Sequence, residues 1–236
     1  MVTEHLFDTR EELLSALQKE CVNALQDAVQ ARGKASLMVS GGSSPGPLYE
    51  QLSQTDLDWS AISVALVDER WVEPGHDKSN ESLVVNTLLK NKAAKASLTG
   101  MKNAAERPAQ GLAECEAAYR KLPQPFDLTL LGMGPDGHTA SLFPHAEGLD
   151  KALDLNCDAL CAAITAKQSE VTGEYVERMT LSLKGLLSSR RLILLITGDD
   201  KLEALRAAQA GTEVADMPIR ALLQQNQVPL TVYWAP

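Results

Sequence analysis

From residue 11 the apolar positions fall at helical spacing. Leu13, Leu14, Leu17, Cys21, Leu25 and Val29 recur every three to four residues, which predicts an amphipathic helix over residues 11–31. Gly33 stands where such a helix needs its stop. The pattern then changes to short apolar runs bounded by polar loops. Ala35-Ser-Leu-Met-Val39 reads as a strand, followed by Ser40-Gly-Gly-Ser-Ser-Pro-Gly46 and a helix through Leu52. Residues 62–67 form a second strand ending in Asp68-Glu-Arg-Trp71, and a helix is expected near residues 79–90. A helix over residues 106–122 accommodates Pro108 in its first turn. Further strands are expected at 126–131, 160–164, 192–196 and 229–234, with helices opening near Lys201 and Pro218.

Strands separated by helices predict an α/β fold with a parallel sheet covered on both faces. The polar loops beginning at Ser40, Asp68, Gly132 and Gly198 all follow strand ends. In a parallel sheet such ends converge on one edge, so residues distant in sequence can share a site there. The chain has 236 residues, 44% of them hydrophobic, which suits one α/β domain over residues 1–236. Aromatic residues make up 4%, so the core is expected to rest on Leu, Val, Ile and Ala.

The net charge of −9 and the lack of a basic block argue against a nucleic-acid partner. An anionic metabolite remains possible through a local basic cluster, since the overall field repels it. No basic and apolar leader opens the chain and no run reaches membrane-span length, which predicts a cytoplasmic protein without a membrane partner. Cys21, Cys115, Cys157 and Cys161 form no Cys-x-x-Cys pair. Cys157 and Cys161 are close in sequence but have no histidine beside them, so all four read as buried or half-buried free thiols and no metal site is expected. No feature sets the oligomeric state; a monomer or weak dimer is compatible.

The segment Leu131-Gly-Met-Gly-Pro-Asp-Gly-His-Thr-Ala-Ser-Leu-Phe-Pro144 carries the most chemistry. It places Asp136 and His138 after a strand, at the start of an expected short helical segment. An imidazole titrates near neutral pH, so His138 is either a general acid/base or a capped structural histidine. His5, His76 and His145 have weaker surroundings and read as exposed.

Two literal motifs carry less than they promise. Gly42-Ser-Ser-Pro-Gly46 fits the nucleophile elbow G-x-S-x-G, but Pro45 has no N–H to give an oxyanion, which argues against Ser44 as a nucleophile. Gly132-Met-Gly-Pro-Asp-Gly137 fits G-x-G-x-x-G, but it lies late in the chain and Pro135 removes an amide from the turn, so no dinucleotide cofactor is expected. Gly41, Gly42 and Ser43 are either an ordinary turn or a nest of amides for an anion. Taken singly, Arg70 reads equally as a solvated charge paired with its neighbours Asp68 and Glu69, and Arg178 and Lys201 each read first as surface charges. Together at converging loops, with the amide nest, they suit a phosphate.

These segments resemble the 6-phosphogluconolactonases of the pentose phosphate pathway, in order and over nearly the whole length. The matching blocks are Ser40-Gly-Gly-Ser-Ser-Pro45, Asp68-Glu-Arg-Trp-Val72, Ser79-Asn80, residues 132–144, Glu177-Arg-Met-Thr180 and Gly198-Asp-Asp-Lys201. Ser44 and Met179 are small departures from the family's usual residues. The resemblance implies an open, mostly parallel Rossmann-like sheet and a carboxylic-ester hydrolase working without metal or cofactor. The implied reaction opens 6-phospho-D-glucono-1,5-lactone to 6-phospho-D-gluconate. His138 is the implied acid/base with Asp136 beside it. Arg70, Arg178 and Lys201 are assigned to the phosphate, and Gly41, Gly42, Ser43 and Asp68 to the substrate. The related glucosamine-6-phosphate isomerase/deaminases carry a Glu where this chain has Phe143, so Phe143 points to the lactonases.

Overall fold

The computed structural model describes residues 2–236. Ten strands and eight α-helices follow one another along them, mostly in alternation. The strands are β1 (Val2–Leu6), β2 (Ala35–Val39), β3 (Ile62–Leu66), β4 (Asp68–Arg70), β5 (Ser97–Thr99), β6 (Leu128–Leu131), β7 (Cys161–Thr165), β8 (Glu177–Leu181), β9 (Leu192–Thr197) and β10 (Leu230–Ala235). The helices are α1 (Arg10–Arg32), α2 (Gly46–Ser53), α3 (Asn80–Thr87), α4 (Pro108–Tyr119), α5 (Leu149–Leu153), α6 (Leu183–Leu187), α7 (Asp199–Ala210) and α8 (Arg220–Gln224).

The expected first helix forms with both of its ends made locally. Thr9 accepts the Glu12 amide at 3.2 Å, and Gly33 takes φ 71° so that its amide closes on the Val29 carbonyl at 2.7 Å. Seven strands then build one parallel sheet in the order β1-β10-β9-β6-β2-β3-β5. Every residue of β2 and β6 is buried, as expected of central strands covered on both faces. From β2 the chain steps to β3 and β5 on one side, then returns to β6 and steps to β9 and β10 on the other. Right-handed crossovers in opposite directions put helices on opposite faces of the sheet.

A second sheet departs from the expected pattern. β4, β8 and β7 pair antiparallel, so residues 160–164, expected in the parallel sheet, pair elsewhere. The chain changes sheets at Val67, which donates to Val39 in one and accepts from Leu181 in the other. β1 and β5, both at sheet edges, were also unforeseen; they are short and carry too few residues for a clear period. The short helix expected after Gly132 is absent: residues 132–148 are turns. The thiol expectation fails at Cys157, which is exposed, while Cys161 lies beside Cys115 with 3.7 Å between sulfurs. None of the described helices is long and apolar enough to cross a membrane.

Glu69 ties β4 of the small sheet to the start of α3. Its carboxylate is 1% exposed and accepts four hydrogen bonds. Oε1 takes the Arg70 and Asn80 amides at 2.8 and 2.7 Å, and Oε2 takes the Ser79 hydroxyl and the Glu81 amide at 2.9 Å each. Burial pushes the Glu69 pKa up, and these donors oppose the rise. An amide at this position turns one acceptor oxygen into a donor facing donors. Glu69→Gln is therefore expected to destabilise the fold by about 2–4 kcal/mol, read from the urea midpoint at constant slope. A midpoint equal to that of the unsubstituted protein would remove Glu69 from this role.

Candidate active site

The loops after β2, β6 and β9 meet β4 and β8 around a cleft of about 320 Å³. Its lining includes residues 40–45, Asp68, Arg70, Asn80, residues 130–135, His138, Phe143, Arg178 and Lys201. The polar segments expected to converge from strand ends do meet here, but the one at Asp68 is strand β4 and not a loop. The cleft lies where strand order reverses between β2 and β6, the place at which open α/β sheets hold ligands.

The turn after β6 is folded around its own ionisable pair. Gly137 adopts φ 76°, and its amide donates to Gly134 at 3.0 Å. His138 comes back over the turn, donating its amide to Asp136 Oδ1 at 3.1 Å and placing Nδ1 2.6 Å from the same oxygen. A Cβ on Gly134 would lie 2.0 Å from His138 Nδ1, so only glycine leaves room for the pair. Burial alone would raise the Asp136 pKa; the bonds and charge of His138 more than offset it, and the carboxyl sits below its ordinary value. An ionised carboxylate only accepts, so Nδ1 carries a proton that it donates to Asp136. Nε2 makes no hydrogen bond to the described residues.

Beyond His138 the loop is pinned to the second sheet. Thr139 Oγ1 donates to Gly132 at 2.9 Å, Ala140 takes φ 50°, and Ser141 Oγ donates to Asp68 Oδ2 at 2.6 Å. This sharp return brings Phe143 against the imidazole, with ring centroids 4.3 Å apart and planes 28° from parallel.

Arg70 and Arg178 are directly opposed across the β4–β8 pair. Like charges in that relation repel. Arg178 is 3% exposed, which corrects the reading of a surface charge. Its Nε donates to the Tyr175 carbonyl at 2.6 Å and its Nη2 to the Thr172 carbonyl at 3.1 Å. Burial draws its pKa down to about 10, with Asp68 opposing and Arg70 adding to the fall. Arg70 is held through Nη1 alone, at 2.7 Å from Asn80 Oδ1 and 3.1 Å from the Lys78 carbonyl. Lys201, half-buried at the start of α7, donates to the Met133 carbonyl at 2.9 Å, and burial lowers its pKa. All three cations thus retain donors that the described residues leave unused.

Gly41, Gly42 and Ser43 line the same cleft, and with Ser44 they make no amide hydrogen bond to the described residues. Asn80 was missed as a site residue. Its Nδ2 donates to the Asp68 carbonyl at 2.8 Å while its Oδ1 accepts from Arg70, and a Cβ on Gly41 would fall 1.8 Å from that oxygen. The Ser79-Asn80 helix start was the available signal. His76, expected exposed, is half-buried, with Nε2 3.2 Å from the Tyr175 hydroxyl.

The family described as glucosamine-6-phosphate isomerases/6-phosphogluconolactonase matches residues 8–234. A 6-phosphogluconolactonase of Rhizobium meliloti (strain 1021) is 41% identical over 232 residues, 98% of each chain. One from Pseudomonas aeruginosa is 40% identical over 220 residues, covering 93% of this chain and 89% of its own. The crystal structure of a 6-phosphogluconolactonase from Shewanella baltica OS155 superposes with a TM-score of 0.95 at 41% identity, over 100% of this chain and 98% of that one. With both fold and sequence matched end to end, the chain belongs to the glucosamine-6-phosphate isomerase/6-phosphogluconolactonase family and stands among its 6-phosphogluconolactonases.

Proposed function

We propose that the cleft hydrolyses 6-phospho-D-glucono-1,5-lactone to 6-phospho-D-gluconate, with His138 moving the proton. One observation carries the reading: an imidazole with a free Nε2 shares a cleft with three cations whose remaining donors are unused. Two of those cations face each other across a strand pair, and a dianion relieves their repulsion.

The phosphate is held by Arg70, Arg178 and Lys201, which fixes the far end of the lactone ring. The Nε2 of His138 takes a proton from a water as its oxygen attacks the lactone carbonyl. The Nδ1 proton stays on the ring and is donated to Asp136, whose carboxylate balances the imidazolium. The tetrahedral oxyanion draws on the unbonded amides of the 41–44 loop. Collapse breaks the bond to the ring oxygen, which receives the proton from His138, and the product leaves as a hydroxy acid that ionises. Asp68, bound by Ser141 and Asn80, holds the two walls of the cleft together beside the sugar. A lactone is already reactive, so a positioned base worth about 10²–10⁴-fold is a sufficient chemical contribution.

His138→Ala is expected to lower kcat by about 10²–10⁴-fold, while binding of 6-phosphogluconate persists. Proton release above the spontaneous rate, paired with calorimetry, measures both. Turnover near that of the unsubstituted protein would end the assignment. Arg70→Ala is expected to raise KM by about 10-fold or more with a smaller effect on kcat. The KM of the unsubstituted enzyme should rise with ionic strength. An unchanged KM in the variant counts against the phosphate role.

Asp136 supplies a pH test. Its pKa is lower folded than unfolded, so the ionised form stabilises the fold at pH values above the ordinary Asp value of about 3.9. That contribution is lost as pH falls through the folded value. The stability gap between the unsubstituted protein and Asp136→Asn is expected to be full at neutral pH and to close below about pH 4. A gap constant across that range would contradict the pairing.

A further inference from the structure

We propose that Phe143 is a positioning residue that sets the plane of the His138 imidazole and ties it to Arg178. The proposal rests on the reading of His138 as the base.

A single hydrogen bond, Nδ1 to Asp136 Oδ1 at 2.6 Å, fixes one point of the imidazole. A ring held at one point still rocks about that contact, and the rocking sweeps Nε2 across the cleft. The flat face of Phe143, stacked 4.3 Å away at 28°, removes this freedom. The two contacts together fix both the edge and the plane, as proton transfer to a bound water requires.

Phe143 can serve as a reference because it is itself immobile. Its side chain is 3% exposed, and the loop carrying it is bound to Gly132, Asp68 and Thr180 through Thr139 and Ser141. The Arg178 guanidinium lies over the same ring, 5.3 Å from its centroid. One aromatic side chain therefore contacts both the proposed base and a proposed phosphate ligand. The lactone ring and its short exocyclic arm bound the distance between the reacting carbonyl and the phosphate, so a held distance between base and cation favours one reactive placement. Phe143 acts as the spacer that holds it. A carboxylate at this position would serve the spacing poorly, because Arg178 would draw it away from the imidazole.

The test is a double-mutant cycle between Phe143→Leu and His138→Ala. Leu keeps the apolar volume and removes the flat face. Phe143→Leu is expected to lower kcat by about 10- to 100-fold, with KM changed by less than about threefold. In the His138→Ala background the same change is expected to alter the residual rate by less than about twofold. Phe143→Tyr, which keeps the ring, should retain at least about a third of the original kcat. If Phe143→Leu does not fold, Phe143→Met replaces it, filling the volume without a flat face, with the same expectations. A kcat for Phe143→Leu within about twofold of the original overturns the proposal. So does an equal loss in both backgrounds, which marks a packing role only. Full turnover in His138→Ala instead overturns the base assignment, and this proposal falls with it.

Discussion

β2 and β6 lie side by side in the sheet, yet the chain leaves them in opposite directions. Their following loops cannot pack on each other and must part. One carries unbonded amides at 41–44, the other carries Asp136 and His138, and the gap between them is the floor of the cleft. The reversal is a property of strand order alone, so the site's location precedes any choice of side chain. Side chains then hold the gap to one width. Ser40 Oγ donates to the Leu130 carbonyl at 2.8 Å across the strand pair, and the Tyr49 hydroxyl donates to the Ser40 carbonyl at 2.7 Å from α2. Both loops therefore start from fixed points.

The small antiparallel sheet solves a different problem. A chain of net charge −9 repels a phosphate at long range, so attraction must come from cations at close quarters in a partly dry site. Opposing Arg70 and Arg178 across β4 and β8 concentrates that charge at a cost. The cost is offset within the protein by Asp68 and Glu69, which favour the charged form of Arg178, and by two backbone carbonyls on its guanidinium. With its pKa drawn to about 10, Arg178 stays charged at neutral pH. Arg178 is thus held apart from solvent before any ligand arrives, and Arg70 is half-buried opposite it, so little ordering of Arg178 is left to be done on binding.

How much of this could be read in the sequence depended on the distance over which each feature is encoded. The 132–144 segment was legible because its glycines, its Asp and its His act within one turn. The first helix was legible from its period and its Gly33 stop. The parallel strands were legible as short apolar runs, and their succession gave the converging loops. β8 was not. Its Arg178 sits in a polar stretch, and the groups around it include Asp68 and Phe143, which the fold collects from two other segments. Glu69 was hidden for the same reason, and Asn80 was marked only by the Ser79-Asn80 helix start. Their bonds run between β4 and the start of α3, and no local pattern marks a carboxylate that accepts three backbone amides. The missing helix after Gly132 shows the converse: Thr139 and Ser141 spend their hydroxyls on Gly132 and Asp68, and Ala140 at φ 50° cannot continue a helical turn.

Phe143 shows why an apolar residue suits the centre of so polar a site. Its position is nearly sealed from water and lies under a buried guanidinium. A carboxylate there would pair with Arg178, because a buried charge without a partner is far costlier than one with it. That pairing would occupy the donors a phosphate needs, and it would add a negative charge where a dianion must enter. An aromatic ring makes neither demand. Its face attracts the guanidinium only weakly, leaving the outward donors free, and it packs flat against the imidazole without exchanging a proton. Asp136 then remains the one acid among the described residues in contact with His138, so in the proposed mechanism a proton taken from water returns to the substrate. Hydrolysis of an ester bond needs that one return. A reaction that moved protons between two carbons or to an amine would need a second acid, and this turn has no place for it.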